Sequence, residues 1–192
     1  MHLLKEIRKC QICRDTLPLP PKPILQASNS SKILIAGQAP GAVTHNKGIP
    51  FDDMSGDRLR KWLGVDRAQF YDPTLFAIIP MAFCYPGKGS SGDLPPPPIC
   101  AQTWRSQLLQ QLPHIALTLI LGKYAVNWHL KTNAPISDLA RNWQINLSEQ
   151  FVVLPHPSPR NNRWLKNNSW FEKETIPALQ TVISNIVNEG PN

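Results

Sequence analysis

The sequence predicts an α/β protein, a three-layer α/β/α sandwich built on a central four-stranded parallel sheet. Three observations carry that expectation. Four short aliphatic runs, "KILIAG" (32–37), "LFAIIPM" (75–81), "LTLILG" (117–122) and "FVVL" (151–154), lack the polar alternation of a half-exposed strand. They read as strands buried on both faces. Segments with helical patterning separate them, and strand–helix alternation implies crossovers that cover a parallel sheet on both sides. The chain of 192 residues, 42% hydrophobic, suits one domain spanning 1–192 with a substantial core.

Taken in order, "MHLLKEIRKCQIC" begins as a short amphipathic helix whose internal charges are unlike a secretory leader. A stiff connection, "PLPPKP" (18–23), leads to the first strand. "SGDRLRKWLG" (55–64) has a serine cap, an early aspartate, Leu59, Trp62 and Leu63 on one side, and a glycine stop. Pro80 ends the second strand. A loop rich in glycine, serine and proline (86–98) precedes a helix through "CAQTWRSQLLQQL" (100–112). A helix through "YAVNWHL" follows the third strand, residues 131–150 are too weakly patterned to assign, and a final helix covers 169–188.

No repeat is visible, and the longest apolar run, "IALTLILG" (115–122), is strand-sized, so no membrane span is expected. The formal charge of +7 and pI near 9.4 suit plain solubility and attraction to polyanions, chiefly nucleic acid, about equally well.

In open parallel sheets the ligand lies beyond the carboxyl ends of the strands. Two motifs fall there: "GQAPG" (37–41) after the first strand and "HPSPRN" (156–161) after the fourth. The prolines around Ser158 fix the backbone and hold His156 and Arg160 in set directions. There is no Gly-Lys-Ser/Thr phosphate loop and no Gly-x-Ser-x-Gly nucleophile turn.

The chain has four cysteines: Cys10 and Cys13 at C-x2-C spacing, and Cys84 and Cys100 with 15 residues between them. Without a secretory signal, disulfides are disfavoured. Four thiolates serve a structural zinc or an iron–sulfur cluster, and spacing does not separate the two.

Together these features resemble the uracil-DNA glycosylase superfamily, most closely its iron–sulfur families four and five. Family four carries C-x2-C, Gly-Glu-Ala-Pro-Gly, Gly-x-Pro-Phe, a later cysteine pair fifteen residues apart, and His-Pro-Ser. Here these are Cys10/Cys13, "GQAPG", "GIPF" (48–51), Cys84/Cys100 and "HPSPRN", in the same order. "HPSPRN" is most similar to the single-strand-selective branch, which also places arginine there. The resemblance implies a base-excision-repair enzyme acting on single- or double-stranded DNA with a damaged base, working as a monomer in the cytoplasm, at the nucleoid in a bacterium. It implies a [4Fe-4S] cluster on Cys10, Cys13, Cys84 and Cys100, with structural zinc as the alternative.

The resemblance also distributes roles. Phe51 is the platform on which an extruded base stacks, with Gln38, Ala39 and Gly41 beside it. His156 stabilises the departing base, Ser158 and Asn161 hold DNA phosphates, and Arg160 fills the emptied stack. Two departures stand out. Gln38 replaces the family-four glutamate that activates water, and glutamine does not accept a proton at neutral pH. Asp53, in "FDDMSGD" (51–57), matches an aspartate of family five and is the expected base, with Asp52 in reserve; the competing reading is that both carboxylates favour a helix N-terminus. Pro80 stands where family four reads uracil with asparagine, leaving the base open. The alternative function is a weak or inactive DNA-binding member of the same superfamily.

Overall fold

The computed structural model describes residues 1–90 and 92–188. Ser91, in the 86–98 loop, and residues 189–192 of the expected domain lie outside the described residues. The strands are β1 (Ile33–Ala36), β2 (Phe76–Ile78), a small antiparallel hairpin of β3 (Lys88–Gly89) and β4 (Gly92–Asp93), β5 (Leu117–Leu121) and β6 (Phe151–Leu154). The main sheet has the order β2-β1-β5-β6 and is parallel throughout. Ile33 lies opposite both Phe76 and Leu117, and Leu121 opposite Leu154, so the carboxyl ends finish at one edge of the sheet.

The aliphatic runs become strands because both of their faces are covered. Ile33, Ile35, Leu119 and Val152 pack with Leu59, Trp62 and Leu63 of the helix Met54–Leu63 and with Leu179 and Ile183 of the last helix. The alternate residues Leu34, Ala77 and Ile79 pack with Leu3, Leu4, Ile7 and Leu108, and Ala36, Ile120 and Val153 with Ala125 and Val126. Each fully buried side chain of this kind contributes about 1.5–3 kcal/mol of transfer free energy. The result is the expected three-layer arrangement with its four-stranded parallel sheet.

The chain leaves β1 for β2 on one side and returns to β5 on the other. Strand order therefore reverses beside β1, and a crevice opens at that point.

The helix expected from Ser55 starts one residue earlier and is capped by Asp53, whose Oδ1 accepts from the Gly56 N–H at 2.9 Å. Serine and aspartate are both good caps, but only Asp53 has the extended backbone that aims its side chain at that N–H. Gly64 closes the helix with φ of 68°, as its missing side chain allows. The helix through 100–112 begins at Pro98 and contains a π turn over Ala101–Arg105. Residues 131–150 form two short helices, Ile136–Arg141 and Trp143–Ser148, each with a single fully buried residue, which is why no period shows. No helix among the described residues is long and apolar enough to cross a membrane.

Candidate functional site

A cavity of about 440 Å³ lies at the carboxyl edge of the sheet, in the size range of small-ligand sites. Gln38, Ala39, Gly41, Phe51, Asp53, His156, Ser158, Arg160 and Asn161 all line it. The two motifs, separated by more than a hundred positions, thus meet because β1 and β6 both end there.

Phe51 is held under strain. Its backbone φ is +54°, a left-handed conformation uncommon for a bulky residue. Three contacts stabilise it. The Phe51 carbonyl accepts from Arg60 Nη1 at 3.2 Å, the Pro50 carbonyl accepts from the Tyr71 hydroxyl at 2.9 Å, and the ring packs edge-on against Phe70 at 6.2 Å. Gly56 completes the arrangement, since a Cβ there would collide with the Phe51 carbonyl. Arg60 is itself buried, tied to Asp57 and lying over the Phe70 ring at 5.3 Å. Strain of this kind persists where surrounding contacts over-determine a conformation.

The His156 loop is braced by its own residues and by one helix. Asn161 Nδ2 donates to the His156 carbonyl at 2.7 Å, and the Ser158 hydroxyl accepts from the Arg160 N–H at 3.2 Å. Arg58 spans 58 to 162, donating to the Ser158 carbonyl at 3.1 Å and to Asn162 Oδ1 at 2.8 Å. Burial holds the His156 imidazole below its ordinary pKa against the opposing fields of Asp53 and Asp93, so the neutral ring is favoured at pH 7. Arg160 is exposed, with its guanidinium pressed against the backbone of Gly92.

The carboxylates divide. Asp52 is bound by Arg67 at 2.6 Å and Lys47 at 3.2 Å, which hold it below the usual carboxylate range, and it does not line the cavity. It serves structure. Asp53 lines the cavity while one of its oxygens caps the helix. Gln38 also lines the cavity, and its Nε2 donates to the Leu94 carbonyl at 3.2 Å. His45 stacks near Tyr85 at 6.0 Å, outside the cavity.

Three residues escape sequence reasoning. Asp93 lines the cavity from the β3–β4 hairpin, inside a stretch that reads as plain loop. Arg58 looks like an exposed helix charge until the fold brings Ser158 to it. Arg105 is fully buried, donating to the Ile79 and Pro80 carbonyls at 3.0 and 3.1 Å and to His129 Nε2 at 2.7 Å. It fixes the end of β2, where Pro80 forms part of the cavity wall.

Cys10, Cys13, Cys84 and Cys100 line one second, smaller cavity, and none is in a disulfide. Burial pushes the Cys84 thiol up to about 11 and Cys100 up to about 12, a setting in which thiolates require a compensating cation. Among the described residues no three His, Cys, Asp or Glu side chains are placed to hold a single metal ion.

A parallel α/β/α sheet with an open cavity at the reversal of strand order, walled by an aromatic ring, a neutral histidine and carboxylates, is the frame of a small-ligand site. The chain matches the model of the Uracil DNA glycosylase superfamily over residues 25–180, and it belongs to that superfamily. Members of this superfamily are DNA glycosylases. The match includes every cavity residue named above, along with Cys84 and Cys100, and begins after Cys10 and Cys13.

Proposed function

We propose that the protein excises uracil or another deaminated base from DNA by hydrolysing its N-glycosidic bond. The observation that carries this reading is the meeting of Phe51, Asp53 and His156 in one cavity of about 440 Å³. Chemistry on a duplex base requires that it leave the stack and enter a pocket, with stacking and hydrogen bonds replacing those lost. Phe51 stacks on the extruded base, with Ala39 and Gly41 at its edge. Arg160, at the cavity mouth, fills the gap left in the DNA, while Ser158 and Asn161 approach the phosphates.

As the bond breaks, its electron pair leaves with the base and positive charge develops on the sugar. A neutral His156 donates to the oxygen on which the base's negative charge collects, a fixed donor of the kind that dominates electrostatic catalysis. Asp53, its carboxylate anchored through Oδ1 by Gly56, orients the attacking water with its other oxygen and accepts the proton. Gln38 contributes positioning rather than proton transfer. Pro80 on the wall offers no side-chain hydrogen bond to a base edge, which favours a pocket read by shape and backbone groups over one selective for uracil alone.

The thiol cavity is proposed to hold a [4Fe-4S] cluster on Cys10, Cys13, Cys84 and Cys100. A single zinc draws all its sulfurs to about 2.3 Å from one point. Four thiols share one cavity, and burial raises the pKa of two of them enough to call for a compensating positive group; the resemblance to families four and five favours the cluster. Such a group ties the N-terminal segment to the 84 and 100 loops and takes no part in hydrolysis. We place the enzyme as a DNA-acting monomer in the cytoplasm, nucleoid-associated in a bacterium. Incubation with oligonucleotides containing uracil or hypoxanthine, followed by alkali to cut abasic sites, tests the proposal.

A further inference from the structure

The β3–β4 hairpin brings Asp93 over the first motif. Asp93 Oδ2 lies 3.4 Å from the position that a Cβ on Gly41 would occupy, and the residue lines the same cavity as His156 and Asp53. The hairpin is anchored on both sides. Leu94 N–H donates to the Gly87 carbonyl at 2.8 Å, and Gln38 Nε2 donates to the Leu94 carbonyl at 3.2 Å. At the turn, Gly92 has φ of +142°, and the Arg160 guanidinium fills the place a side chain would take. Gln38, the residue standing where a motif-one acid is absent, thus holds the strand that delivers a different acid.

Asp93 has no hydrogen bond or ion pair to its carboxylate among the described residues. In a chain of charge +7, a carboxylate with no such partner among the described residues, at the mouth of a cavity proposed to take a polyanion, weakens phosphate binding. It makes sense if it faces something positive. The reaction supplies that charge: when the C1′–N bond breaks and its electron pair leaves with the base, the deoxyribose becomes oxocarbenium-like. His156 attends the leaving base, and Asp53, with one oxygen on the helix N-terminus and the other on the attacking water, is already committed, so a second carboxylate facing the sugar has a role of its own.

We propose that Asp93 is a second catalytic carboxylate, facing the deoxyribose and stabilising the positive charge that develops on it. Water then adds at C1′, its proton passing to Asp53 and on to the departing base. The assignment rests on the glycosylase reading but is tested apart from it.

The experiment compares wild type, Asp93→Asn, Asp93→Glu and Asp53→Asn for affinity to two oligonucleotides, by fluorescence anisotropy at fixed salt and pH 7. One carries a neutral tetrahydrofuran abasic site and the other a protonated pyrrolidine in the same place, mimicking the sugar cation. Wild type should prefer the cationic sugar by about tenfold or more, the scale expected of a close charge pair. Asp93→Asn should bring that preference close to unity while leaving tetrahydrofuran affinity equal or tighter. Asp53→Asn should retain it, and Asp93→Glu should restore part of it. Single-turnover excision by Asp93→Asn should fall by about a hundredfold with DNA affinity equal or tighter. If wild type shows no preference, or Asp93→Asn keeps it, the assignment is overturned whether or not bases are excised. An Asp93-dependent preference in a protein that releases no deaminated base would instead support Asp93 and overturn the choice of base.

Discussion

The Phe51 ring and the His156 imidazole lie with centroids 6.5 Å apart and planes 30° from parallel. Phe51 follows β1 by a loop and a short helix, whereas His156 ends the last strand, so the pair measures how well the two halves of the site are registered. That registration depends on Arg60, Gly56 and Tyr71 on one side and on Asn161 and Arg58 on the other.

Replacing Phe51 by leucine keeps apolar bulk against Phe70 but removes the stacking face. Base–aromatic stacking is worth about 1–3 kcal/mol. Excision should fall by about tenfold to a hundredfold, with the melting temperature nearly unchanged. Single-turnover rates and thermal melts on the same preparation check this.

His156→Ala and Asp53→Asn should act differently. Loss of one fixed donor to a developing anion costs about a hundredfold to a thousandfold in rate. Asp53→Asn should also lower the rate sharply, yet keep a side-chain oxygen for the Gly56 N–H. Asp53→Ala should add about 1 kcal/mol of destabilisation, the usual cost of a lost helix cap. Urea unfolding separates the two contributions.

Gly56→Ala tests the seat of the platform. The new methyl would meet the Phe51 carbonyl, so either the helix start or Phe51 must move. Destabilisation of about 1–3 kcal/mol and a loss of excision are expected. Stability and activity both equal to wild type would show that the backbone there yields without consequence.

The Arg105–His129 contact sets an acid limit on stability. Burial, reinforced by Arg105 and Lys131, lowers the His129 pKa to about 3. A neutral His129 accepts from Arg105, whereas a protonated one would set cation against cation at 2.7 Å. Between the ordinary histidine pKa of about 6.5 and the lowered value the unfolded chain binds the additional proton. This contribution is therefore fully present above about pH 6.5 and is lost progressively as the pH falls towards 3. His129→Gln should flatten the dependence of unfolding free energy over that interval, as denaturant melts at stepped pH will show.

Cys13→Ser and Cys100→Ser should each reduce bound iron and the visible absorbance of the purified protein, along with its melting temperature. Zinc in place of iron, at one equivalent, would reverse the proposed choice of group.

Much of this site is legible in the sequence because its parts sit on strands with unmistakable burial. The runs at β1 and β6 are apolar from end to end, which marks "GQAPG" and "HPSPRN" as strand-end segments in the sequence alone. Asp93 is different. Its hairpin has two residues in each strand, too few to show alternation, and its glycines and serines read as loop. The cap at Asp53 rather than Ser55 turned on backbone dihedrals, which composition does not encode. Arg58 and Arg105 act on residues far along the chain, and a single sequence carries no signal for such pairs.

The proposed work of this cavity is to break a glycosidic bond. The most direct measurement is release of a base from uracil- or hypoxanthine-containing oligonucleotides, single- and double-stranded, with wild type and His156→Ala side by side. Alkali-labile sites are expected with wild type and about a hundredfold fewer with the variant. Intact strands throughout from a folded protein that nevertheless binds DNA, or equal cleavage by both proteins, would contradict it.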